Sequence, residues 1–423
     1  MSTNDDGQLH DGTSAASERV TEIERGRPAT VISLLVTAIV SGAFAGLVTA
    51  AFIWLLETSI EIVWVDLPDA LGVSPFRSWW LFAVPIVGGV FVGVAQLVIG
   101  NFPRPLDEAV TTWKQGGHIE PTVAPRTATN ALFVLAAGAP VGFEAALTGI
   151  LGGTATWIGG RINAVGHLVR QAWGAESIDD VPVAVRKLPY WLAALSGLLT
   201  YHWIPFGSID FYFRFTDFDG RLGIGGGLAA FAFGALIVIP VAWAVSVVVR
   251  AENSLVFRRS PILFAVGGGI AFALLALPDH QVLFSGQDGI QLLPDVGTGD
   301  LAYIAIAKWA ALVIALFAGW RGGPIFPTYL SVAAVAVLAG DLVDISPDIV
   351  IVAGLAATGV VFLKGNVPMA IILTLYPVQL TYASVILVGC IGGAVGLAIA
   401  RSIGALPSPP VEEPGPVATG PAG

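Results

Sequence analysis

Charge is scarce in this chain. Of its 423 residues, 12% are Asp, Glu, Lys or Arg, against the roughly 25% of an ordinary soluble domain. That shortage excludes a water-soluble globular fold. Lysine is rarest, present only as Lys114, Lys187, Lys308 and Lys364, and the formal net charge is −10. An acidic balance excludes the basic surface that a nucleic-acid partner requires. Cysteine occurs once, as Cys390 inside an apolar run, so no disulfide framework exists and the residue reads as a small buried hydrophobe. The histidines (His10, His118, His167, His202 and His280) show no metal-ligand spacing, so neither a metal nor a cofactor is expected. No nucleophile–base set is evident either, and an enzyme is the least favoured class.

What the chain has instead is apolar length. Fifty-five per cent of it is hydrophobic, and long runs recur over Thr30–Trp54, Trp79–Gly100, Leu222–Val249, Ile262–Leu277, Leu301–Ala318, Ile349–Leu363 and Ala383–Ala400. A spanning helix needs roughly 20 such residues. Several runs meet that, and the shorter ones suit tilted or re-entrant helices buried in protein. The pattern predicts an all-α polytopic membrane protein. Residues 1–27 read as a disordered polar tail, with Arg19, Arg25 and Arg27 favouring a cytoplasmic N-terminus. Residues 404–423 read as a disordered Pro/Gly-rich tail. One integral domain, 28–403, lies between them, with halves of about 28–215 and 228–403 joined through "RFTDFDGRLGIGGG".

Each half contains a helix boundary broken by Gly and Pro, "GAPVGFEA" at 138–145 and "GWRGGPIFP" at 319–327. Matching interruptions in two halves point to an inverted-repeat site near the membrane midplane. A helix starting there directs its first, unsatisfied N–H groups into the interior, with about half a positive charge of dipole behind them. Such a site takes an anion without needing a cationic side chain. Glu144 stands alone among small and apolar residues in the first interruption. A lone carboxylate at that depth costs about 2.5–3.5 kcal/mol or more. Facing helix N-termini offset part of that cost, so Glu144 can plug an anion path when ionised and leave it when protonated or displaced; the alternative is a glutamate that caps its own helix.

These residues resemble the CLC family of chloride channels and chloride/proton antiporters. Gly142-Phe143-Glu144-Ala145-Ala146 stands where the family has Gly-Arg/Lys-Glu-Gly-Pro, and Glu144 matches the family's external gating glutamate. "WWLFAVPIVGGVFVGVAQ" (79–96), "GNFPRPLDEAV" (100–110), "LFSGQDGIQLL" (283–293), "AKWAALVIALFAGWRGGPIFPTYL" (307–330) and "VAGLAATGVVFLKGNVPMAIILTLY" (352–376) follow in the family's order. The likeness covers roughly 30–400. It implies a CLC-like inverted repeat with tilted and re-entrant helices, a homodimer in the cell membrane with one pore per subunit, and chloride or another small anion as the transported species.

No single motif is intact. The serine of the family's Gly-Ser-Gly-Ile-Pro loop is missing, and Asn101 is its ungapped match; an amide can donate in place of a hydroxyl, or Asn101 can serve as a surface turn before Pro103. In the second loop Pro324 has no N–H, which shifts the donor register to Ile325 and Phe326 after Gly323. Arg321 either raises the local potential, or it snorkels to the interface or pairs with an acid. The register of the antiporters' internal glutamate falls on Arg214 or Phe215, near Asp210 and Asp217, and no tyrosine follows Ala383. The expected anion site is therefore Asn101, Gly142, Phe143, Glu144, Gly323, Ile325 and Phe326. The expected function is channel-like chloride conduction gated by Glu144. The rivals are a proton-coupled chloride or fluoride antiporter and a non-conducting membrane scaffold or sensor.

Overall fold

A computed structural model describes residues 11–104, 122–150, 169–174, 180–204, 213, 215, 218–254, 256–375 and 377–404, with the backbone alone for 11–29, 183–184, 186–187, 190 and 194. Asp210, Arg214 and Asp217 lie outside the described residues, as does the C-terminal segment from 405. Among the described residues no strand forms, and two isolated bridges pair Gly142 with Gly323 and Phe213 with Val378.

Helix α1 runs Asp11–Glu61 and continues through a π-helical turn, Ile62–Asp66, to Leu71. Its start corrects the expectation of an unstructured tail over 1–27: from Asp11 the backbone is helical. Between Thr13 and Arg25 there is no Gly or Pro, and Ala, Glu and Arg dominate, all good helix formers. Then follow α2 (Trp80–Val98), α3 (Val123–Ala136), α4 (144–150), α5 (Val183–Trp203), α6 (Ile224–Glu252), α7 (Pro261–Leu275), α8 (Thr298–Phe317), α9 (Ile325–Val343), α10 (Pro347–Phe362), α11 (Val367–Leu375) and α12 (Ala383–Ser402). Helix α6 starts inside the expected hinge, because Gly225–Gly227 form its first turn instead of a loop.

Six helices of the described residues are long and apolar enough to cross a membrane: Thr30–Leu71, Trp80–Val98, Ile224–Arg259, Thr298–Phe317, Ile325–Val343 and Leu380–Ser402. The runs at 262–277 and 349–363 become shorter apolar helices, as buried tilted elements do. Ile325–Val343 escaped the reading of apolar runs because hydroxyls, Pro327 and Gly340 dilute it. It is also the most enclosed span, with 67% of its apolar window buried, so protein rather than lipid covers it.

Two compact units divide the chain. In the first (1–59, 102–129, 145–209), α1 and α5 meet through small residues. A Cβ on Gly42 would strike the backbone of Ala193, one on Gly46 that of Gly197, and the Ser196 hydroxyl donates to Ile39 O at 2.6 Å. Without water to drive association, helices in a bilayer rely on such close backbone approach.

The second unit (60–101, 130–144, 210–423) repeats the device. Gly89 and Gly93 of α2 pack on Val266 and Ile262 of α7. Helix α12 presents Gly389, Gly393 and Gly396 to Ala353 and Ala357 of α10 and to Ala235 of α6. A side chain on Gly389 would begin 2.7 Å from Ala353 Cα. Gly389→Leu is therefore expected to lower stability by about 1–3 kcal/mol through overpacking, read as a lower thermal midpoint of the purified protein in detergent. An unchanged midpoint would remove the close-packing account of α12.

Candidate functional site

The site grows from two interrupted segments that share one backbone plan. Helix α3 ends at Ala136 and α8 at Phe317; two residues on, Gly138 and Gly319 turn left-handed at φ 79° and 89°. Both ends close alike, with Ala139 N–H donating to Val134 O and Trp320 N–H to Ala315 O, the Schellman arrangement that uses up orphaned carbonyls. Four residues beyond each turn lies a second glycine, Gly142 or Gly323, and two residues beyond that a new helix starts, at 144 or at Ile325. The two glycines pair antiparallel, each N–H donating to the other's carbonyl at 2.6 Å.

Across this bridge lies the Glu144 side chain. Its Oε1 accepts the Phe326 N–H at 2.7 Å, and the N–H groups of Ile325 and of Glu144 itself also act on the carboxylate. Those are first-turn amides, which have no partner inside their own helices. A Cβ on either Gly142 or Gly323 would collide with the carboxylate, so the bare backbone of both glycines makes the room in which it sits. Phe143 and Phe326 flank the pocket with ring centroids 5.1 Å apart. Six of the seven residues singled out in the sequence thus converge here: Gly142, Phe143, Glu144, Gly323, Ile325 and Phe326.

Asn101 goes elsewhere. Its Oδ1 accepts the Arg321 Nε–H at 2.8 Å. Arg321 also donates from Nη1 to Glu252 O and lies over the Phe257 ring at 5.1 Å. The arginine is 2% exposed. It does not snorkel; it ties Asn101 to the second interrupted segment, where a planar fork with several donors suits the work.

Comparison with known proteins bears on this architecture. The family model described as "Voltage gated chloride channel" matches residues 188–401, half of the chain. The chain belongs to the voltage-gated chloride channel family. YfeO of Salmonella newport (strain SL254), whose name assigns it to ion transport, is 26% identical over 356 residues, covering 76% of this chain and 84% of that protein. A slow cyanobacterial Cl−/H+ antiporter is similar in structure with a TM-score of 0.68 at 16% identity, over 88% of this chain and 95% of that one. A CLC-type fluoride/proton antiporter gives 0.62 at 15%, over 88% and 96%. The CLC fold expected from the ordered fragments is therefore the fold of this multi-pass membrane protein.

Within this chloride-channel-family fold, several bracing residues were not read from the sequence. Trp64 Nε1–H donates to Ala136 O at 2.9 Å, and Trp320 Nε1–H to Ala265 O at 2.8 Å. Gln96 donates to Gly319 O, and Phe284 N–H to Gly138 O at 3.0 Å. Lys308, fully buried, was passed over too, although it is the sole charge in Leu301–Ala318. An ionisable residue alone in an apolar span is itself a signal.

Proposed function

We propose that this chain carries chloride and other small anions across the cell membrane, passively, with Glu144 as gate. The observation that supports this reading is the bond from Phe326 N–H to Glu144 Oε1 at 2.7 Å. A carboxylate oxygen and a halide seek the same donors, so Glu144 competes with the ion for one pocket. Gly142, Gly323, Ile325 and Phe326 form the receptor, and Asn101 supports the loop at its side. A homodimer with a pore in each subunit and a cytoplasmic N-terminus complete the reading, with no cofactor, metal or nucleic acid involved.

The second reading is proton-coupled exchange of chloride or fluoride. Two buried acids favour it: Asp348, whose Oδ2 accepts the Tyr382 hydroxyl at 2.9 Å, and Glu252. Purified protein in chloride-loaded liposomes separates the readings. Once a potassium ionophore relieves the voltage, chloride is expected to leave without a matching entry of protons. Stoichiometric proton entry would establish the antiporter, and a protein that moves no halide would leave the scaffold reading.

A further inference from the structure

The two interrupted segments are held from outside at the same point, the carbonyl of the left-handed glycine. For Gly319 the donor is the Gln96 side chain. For Gly138, four residues before Gly142, it is the main-chain N–H of Phe284. A backbone donor braces a loop only as firmly as its own segment is fixed. Phe284 itself sits at φ 57°, an unfavourable conformation for a residue with a side chain, so something must fix it.

Lys308 does so. From the middle of α8 its Nζ lies 3.0 Å from Gln281 O, 3.2 Å from Val282 O, 2.6 Å from Leu283 O and 2.7 Å from Phe284 O. Four successive carbonyl oxygens converge on three N–H donors. Gly286 leaves the space, since a Cβ there would lie 3.1 Å from Nζ and 3.0 Å from Cε. Asp279 shapes the other end of the turn by accepting Gln281 N–H at 2.8 Å. Trp64 adds a second hold, with its ring 5.2 Å from that of Phe284 and filling the space beside Gly138. A buried ammonium is costly unless its partners are well placed, and here every partner belongs to the turn that grips the gate segment.

We propose that Lys308 is a positioning residue for the Glu144 gate: by gathering the carbonyls of 281–284 it fixes Phe284, and through Phe284 it holds Gly138 and the strand of chain that carries Glu144 to the Phe326 amide. This rests on the reading of Glu144 as the gate. Loosening the turn weakens the carboxylate's hold on the Phe326 amide, so chloride meets a poorer competitor.

The test is a double-mutant cycle on the purified full-length protein, with chloride binding measured by isothermal titration. Lys308→Met is expected to tighten apparent chloride affinity about fivefold when Glu144 is present, and to leave it unchanged in a Glu144→Gln background, as coupled residues behave. An equal shift in both backgrounds, or none in either, overturns the proposal while leaving the gate reading intact. If Glu144→Gln alone leaves chloride affinity unchanged, both fall together. Should Lys308→Met fail to elute as a monodisperse species, Lys308→Gln, which keeps two donors, is read through the same cycle, where the same dependence on Glu144 is expected and its absence overturns the proposal.

Discussion

Replacing Glu144 by alanine is expected to tighten chloride binding about tenfold to a hundredfold and to raise halide efflux from liposomes. On the proposed reading, the wild-type ion must displace a carboxylate held by the Phe326 N–H at 2.7 Å. A charge-assisted hydrogen bond is worth about 1.5–3 kcal/mol, which converts to that range of affinity. The alanine variant leaves the backbone donors in place and removes their occupant. Isothermal titration gives the affinity and a chloride electrode the efflux. Unchanged binding would mean that the carboxylate joins the two helix N-termini without competing with an ion.

Gly323→Ala is expected to act in the opposite direction, reducing chloride binding about tenfold or more. A methyl group at this position falls on the space now taken by the Glu144 carboxylate, and one extra carbon in a closely fitted site typically costs about 1–3 kcal/mol. The Glu144→Ala/Gly323→Ala double variant decides what the methyl group obstructs. If the methyl group harms binding only by deforming the segment that carries Glu144, removing Glu144 restores binding. If the halide needs the same space, binding stays weak. The second outcome is expected; restored binding would separate the ion's position from the carboxylate's.

Much of the site was legible in the sequence because its chemistry lies in the main chain. Gly and Pro announce where helices break, and a charge without neighbours announces itself in an apolar run, so Gly142, Glu144, Gly323, Ile325 and Phe326 could be named as candidates without coordinates, and the structure brings them together. The shift of register imposed by Pro324 was equally readable, since proline has no N–H to offer, and the structure has Phe326 as donor. Asn101 shows the limit. Its type and place suited an ion ligand, yet its oxygen faces Arg321, a partner 220 residues away that no local pattern reveals. The braces share that limit: nothing near Gln96, Trp64 or Phe284 in the chain says that each holds a distant carbonyl. The tail misled for a different cause, because polar composition marks a segment that stays in water but does not prevent it from continuing a helix.

The repeated spacing of Gly138 with Gly142 and of Gly319 with Gly323 carries a last consequence. The main chain folds alike in both interrupted segments, so the shared backbone plan does not by itself set one apart from the other. Polarity enters with the residues that follow each paired glycine: Phe143 and Glu144 after one, Pro324 and Ile325 after the other. One half carries the carboxylate and the other the amide that receives it, so on the proposed reading any difference between the two directions of transport is written in those two short stretches rather than in the duplicated frame.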